Sequence, residues 1–179
     1  IFEAQTKLIS LPDLLPLRQK ILKPFATIDE CENPGDNHPT TFHIGVYVGP
    51  RLVSIATFLD EGRPEFFYGQ SYRLRGMATD NSYQKQGCGA LALSSGLDRL
   101  RKQKVDFVWC NARVKAFNFY QRMGFYFFGD FFDIPKIGPH KIMTAGSSSA
   151  AKMIGTRDQI FMKSAQAEAV LALHGPSDF

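Results

Sequence analysis

Cysteine is scarce in this chain: Cys31, Cys88 and Cys110 are odd in number and far apart in 179 residues. That excludes a disulfide framework and a C-x-x-C metal pair, and it points to reduced thiols. Histidine is equally sparse. His38, His43, His140 and His174 make neither an H-x-x-x-H nor an H-x-E pattern, so no metal centre is expected. Each reads instead as a surface residue or a hydrogen-bonded core residue. No apolar run approaches the roughly 18 residues that a membrane span requires. Charge of one sign is in small excess, with 21 Lys+Arg against 17 Asp+Glu and a net +4. This favours an anionic ligand and falls short of a nucleic-acid binder. The opening IFEAQTKLIS carries an acid and lacks the apolar stretch of a secretory signal, so a cytoplasmic location is expected.

What is present is an ordinary globular composition, 44% hydrophobic and 21% charged, at a length that fits one domain with a short appendage. The pattern predicts a helix over 10–23, with Leu14, Leu17, Ile21 and Leu22 at helical spacing and Pro24 as its stop. A turn-rich stretch follows at 29–41. Strands are predicted at 42–48, 52–59 and 72–79, an antiparallel meander punctuated by Gly49-Pro50 and Gly62-Arg63-Pro64. Residues 90–104 then read as a helix with Ala90, Leu93, Leu97 and Leu100 as its stripe and a basic C-terminal end. A strand at 105–110, a helix at 113–123 closed by Gly124, a strand at 125–132 and a short strand at 140–143 complete the domain, 1–143. From 144 to 179 the composition shifts to Ala, Gly and Ser. This extension offers a strand at 159–163 and a helix at 165–173. Added to a neighbouring subunit's sheet edge, 159–163 would make a homodimer.

The sharpest local feature is Gly87-Cys88-Gly89 opening a helix behind Gln84, Lys85 and Gln86. A helix N-terminus presents unpaired N–H groups and partial positive charge, and small residues let a phosphate come close. A tight strand-to-helix turn that merely needs glycine would look the same. The mononucleotide loop requires Gly-Lys-Ser/Thr, and Ala90-Leu91 follow Gly89 here, so it fails. The dinucleotide fingerprint is formally met by Gly87, Gly89 and Ala92. Its context is wrong, because an antiparallel meander and a polar stretch from Asp80 to Gln86 precede the loop.

The run Leu74-Arg75-Gly76-Met77-Ala78-Thr79-Asp80, followed by Tyr83 to Ala90, resembles the strand and Q/R-x-x-G-x-G/A loop of the GNAT superfamily of N-acetyltransferases. The run from Ala116 to Phe125 is similar to that superfamily's A-x-x-x-(F)Y-x-x-x-GF signature, and one helix and one strand separate the two, as in the family. Shorter runs (LRQKILKP, RLRGMATD, WCNAR, FDIPKIGPH) resemble a bacterial branch of it.

The resemblance implies an α/β fold with a mixed, mostly antiparallel sheet splayed between two central strands and flanked by helices. It implies acetyl-CoA as co-substrate, an amine of a small molecule or peptide as acceptor, and no metal. Carried over residue by residue, the backbone of Met77, Ala78 and Thr79 would pair with pantetheine. Amides of Gln86, Gly87, Cys88, Gly89 and Ala90 would hold the pyrophosphate, with Gln84 and Lys85 at its rim. Asn111 would bond pantetheine, Ala116 and Phe119 would line the cofactor, and Tyr120 would protonate the departing thiolate. Cys88 serves there as a small residue, since the family transfers acetyl directly. No base is evident: Glu30, Asp60, Glu61 and His43 qualify by residue type alone, and Arg73 and Arg75 on the strand cannot act as bases. A CoA-binding module without chemistry is the competing expectation.

Overall fold

In a computed structural model, residues 3–63 and 69–146 are described, and they divide into two compact units. Seven strands, mostly antiparallel, with flanking helices make a mixed α/β fold, as expected. The segments expected at 159–163 and 165–173 lie outside the described residues.

The first unit runs to Glu61 and resumes at Tyr72–Lys104. Strands β1 (Ala4–Ile9), β2 (Phe42–Val48), β3 (Arg51–Leu59) and β4 (Ser71–Thr79) pair in sequence order, each antiparallel to the last. β2 falls on the expected residues. β1 was not expected: AQTKLI exposes its four central residues and so lacks the alternation of a half-buried strand.

Helix α1 (Leu11–Leu22) starts at Ser10, whose hydroxyl accepts from the Asp13 amide, and tolerates Pro12 in its first turn. Its Leu11, Leu14, Leu15 and Leu17 pack with Cys31, Ile55 and Ala78. Helix α2 (Cys88–Lys102) begins two residues before the expected start and covers the opposite face, because Phe58 lies out of phase with Ile55 along β3. Phe58 is fully buried and stacks on Phe42 at 5.0 Å between centroids. A Cβ on Gly96 of α2 would intrude on the Phe58 ring. Gly96→Ala is therefore expected to lower stability by about 1–3 kcal/mol through overpacking, despite a helix-propensity gain of up to about 1 kcal/mol. A melting curve checks this.

The second unit comprises Gly62–Ser71 and the described residues from Val105 on. β5 (Phe107–Arg113) pairs antiparallel with β7 (Gly138–Gly146), and β7 pairs antiparallel with β6 (Tyr126–Ile134). β7 is nine residues long where four were expected, and it carries Thr144–Gly146 within it. The expected helix over 113–123 is shorter. Arg113 ends β5, a single turn occupies Val114–Ala116, and α3 spans only Phe117–Arg122. Its buried side chains are Phe117 and Tyr120; of the helical-spaced stripe that the sequence offers here (Ala116, Phe119, Tyr120 and Met123), Tyr120 is buried and the other three are only partly buried. Phe117 meets Phe127 edge-on at 4.7 Å.

Candidate active site

In the first unit, β4 carries a bulge. Ile55 pairs with Ala78 and Thr57 with Arg75, which leaves Ala56 opposite both Gly76 and Met77. Gly76 supplies the left-handed backbone this needs, at φ 62°. The bulge keeps Ala78, Arg75 and Arg73 on one face of the sheet, the face covered by α1 and residues 29–41.

Behind the bulge lies a buried polar network that the sequence reading missed. Arg18 is fully buried. Its Nη1 donates to Asp36 Oδ2 at 2.5 Å and to the Cys31 carbonyl at 2.9 Å. Its Nη2 donates to Thr57 Oγ1 at 3.0 Å and to Asp36 Oδ1 at 3.3 Å. Asp36 also accepts from the Asn33 amide, which fixes the turn that carries it. The signal was an arginine on an apolar stripe, four residues after Leu14 and three before Ile21. Such a position calls for a buried anion.

His43 completes the network and is corrected as a base candidate. Its Nε2 lies 3.1 Å from the Asp36 carbonyl, which can only accept, so Nε2 carries the proton. Nδ1 then accepts from the Thr57 hydroxyl at 2.8 Å. Burial lowers the imidazole pKa from its ordinary value, and no basic nitrogen is left over. Two other candidates are also engaged: Glu30 Oε2 caps the Thr27 amide, and Glu61 binds Arg73 Nη1 through both oxygens. Asp60 lines a cavity of about 200 Å³ with Glu61, Leu59, Gly35 and His38, and no hydrogen bond or ion pair engages its carboxylate among the described residues.

Beyond β4 the chain is anchored by Asp80. Its carboxylate receives Lys20 Nζ at 2.7 Å and the Ser82 amide at 3.0 Å, and these bonds hold its pKa below the usual carboxylate range. From there the loop reaches Gly87, the residue before α2, with φ 87° and open space where a Cβ would stand. No side chain caps α2, so the amides of Cys88, Gly89 and Ala90 face outward without intrahelical partners. The side chains nearby do less than expected at this rim. Gln84 Nε2 donates to the Thr79 carbonyl and Asn81 Oδ1, and Gln86 Nε2 to the Ser82 carbonyl, so both brace their own loop. Lys85 sits at φ 59°, a strained conformation for a residue with a Cβ. Burial raises the Cys88 thiol pKa, the opposite of what an activated nucleophile needs.

In the second unit, the structure places Tyr120 against β5. The ring packs on Phe119 at 5.2 Å and Phe125 at 5.4 Å. Burial, then the neighbouring Cys110, to which the phenol is hydrogen-bonded, raises its pKa well above the ordinary value. Asn111 is the residue after Cys110 on β5. Its Oδ1 is buried and accepts no hydrogen bond among the described residues, an acceptor waiting for an N–H donor. Ala116 and Phe119 are partly buried beside it in sequence, on the turn and helix that follow. Among the described residues no helix is long and apolar enough to cross a membrane, and no three His, Cys, Asp or Glu side chains gather as a metal set.

A mixed, mostly antiparallel sheet with a bulged fourth strand running into a glycine-opened helix is a fold shared with the solved structures named below. The Acetyltransferase (GNAT) family model matches residues 12–125, and the chain belongs to that family and is an N-acetyltransferase. It is 37% identical over 139 residues to the uncharacterized N-acetyltransferase YitI of Bacillus subtilis strain 168, covering 78% of this chain and 93% of that one. Among solved structures, FeeM, an N-acyl amino acid synthase from uncultured soil microbes, superposes with a TM-score of 0.68 at 12% identity, over 85% of this chain and 95% of that one. ElaA of Escherichia coli gives 0.64 at 19% identity, over 80% and 99%. The family uses acyl-CoA as co-substrate.

Proposed function

We propose that this protein moves an acetyl group from acetyl-CoA directly to a primary amine of a small molecule or peptide. The observation that carries the reading is the uncapped N-terminus of α2, where three outward amides and the open side of Gly87 suit a pyrophosphate. The orphan Oδ1 of Asn111 supports it with an acceptor suited to an amide N–H of pantetheine. When bound, acetyl-CoA supplies an activated thioester carbonyl. The chain's own residues bind the phosphates at Cys88–Ala90 and hold the pantetheine arm at Met77–Thr79. Tyr120, neutral at any physiological pH, donates a proton toward the departing sulfur. Asp60 is the candidate carboxylate left to take the amine's proton.

A screen of amines for release of free thiol from acetyl-CoA tests this. Thiol release with at least one amine supports it. Thermal stabilisation by CoA with no release from any amine supports the binding module instead.

The loop has its own test. CoA at 100 times its Kd is expected to stabilise wild type by about 2.7 kcal/mol, roughly 5–10 °C. Any residue at position 87 bears the cost of φ 87°, so Gly87→Ala is the control for Gly87→Glu. Gly87→Glu is expected to lose the CoA shift that Gly87→Ala retains, because its carboxylate repels the phosphates. Equal shifts in the two variants would place the pyrophosphate elsewhere.

A further inference from the structure

We infer that Arg75 binds a carboxylate of the acceptor, so that the amine acetylated belongs to an amino acid or a like carboxylated amine. This rests on the transferase reading above and specifies its substrate class. Arg75 pairs with Thr57 across β4 and β3, which puts its side chain on the face of Arg18, Asp36 and His43. It is partly buried, and no hydrogen bond or ion pair engages it among the described residues.

Its charged neighbours are Arg73, Asp36, Glu61 and Arg18. Both acids are already committed, Asp36 to Arg18 and Glu61 to Arg73. His43 is neutral. Three guanidinium groups therefore face two carboxylates, and Arg75 is the one left over. Burial, then the charge of Arg73, works against its cationic form, yet a guanidinium does not give up its proton. A partly buried cation among cations is relieved by an anion, and a carboxylate matches its two-pronged donor geometry. A cavity lies one cross-strand pair along from Arg75, which is not itself in the cavity's lining. Leu59, the partner of Arg73, and Glu61 form a wall of the cavity of about 200 Å³ that Asp60 also lines.

The test uses the α-amino acids with a primary amine, cysteine excluded because its own thiol would be read, each against its own carboxamide, with thiol release from acetyl-CoA as the readout. Wild type is expected to favour the carboxylate of the best pair by about 10–100-fold in kcat/KM, the worth of one charge-assisted pair. In Arg75→Gln that ratio is expected to fall toward one, and in Arg75→Lys, which keeps the charge without the planar fork, to an intermediate value. A wild-type ratio near one overturns the inference, and so does a preference that survives in Arg75→Gln. If Arg75→Gln does not fold by its melting curve, Arg75→Lys decides on the same criterion. Thiol release from no amine would overturn the transferase reading. The same pairs scored by thermal shift would then judge Arg75 separately: greater stabilisation by carboxylates, lost on substitution, upholds the site, and equal stabilisation removes it.

Discussion

Asp36→Ala is expected to destabilise the protein by about 3–5 kcal/mol, the cost of leaving a buried charge without its partner. Arg18 is fully buried and would keep only the Cys31 carbonyl and the Thr57 hydroxyl as acceptors. The Asn33 amide would lose its acceptor as well, loosening the turn that closes over His43. For a domain of this size the fall in Tm is roughly 6–20 °C. Denaturant unfolding of Asp36→Ala, Arg18→Met and the double variant measures it. The double variant is expected to be more stable than the sum of the two losses implies, since neither charge is then stranded. Additive losses would mean that Asp36 and Arg18 act independently.

That network also shows where reading the sequence stops. Elements with local signals were legible: the alternation of β2, the basic end of α2 and the turn glycines all came from neighbours in sequence. The glycine loop before α2 was legible as a motif because the anion site proposed there would be made of backbone amides, which need only the right φ angles. Side-chain partnerships were not. Arg73 meets Glu61 and Lys20 meets Asp80 across loops, so the charge left over at Arg75 is visible only after every other pair has been assigned in space. Elimination of His43 as a base is similar, because its tautomer follows from a carbonyl supplied by Asp36. The six-residue α3 fails for another reason. It is under two turns long, so packing against Phe127 rather than periodicity chooses its buried face.

Tyr120→Phe is expected to lower kcat by about 10²–10⁴-fold with little change in KM for acetyl-CoA, the pattern of an interaction made in the transition state. The ring and its contacts with Phe119 and Phe125 are kept, and only the hydroxyl and its bond to Cys110 are lost. Stability should therefore fall by no more than about 0.5–1.5 kcal/mol at neutral pH. The raised pKa supplies a second readout with a definite sign. The unfolded chain releases the phenol proton near pH 10, while the folded chain holds it to higher pH. The preference of the folded state for the neutral phenol contributes stability that is present below about pH 10 and is lost as pH rises through the folded value. Wild type should thus lose more stability than Tyr120→Phe between about pH 9 and 11, and kcat should show no alkaline limb from this group below about pH 10. Normal turnover in Tyr120→Phe together with the lost alkaline destabilisation would make Tyr120 a buried core phenol bonded to Cys110, with thiolate departure unassisted. A large loss in kcat with that same alkaline signature would locate the proton donor on the hydroxyl itself.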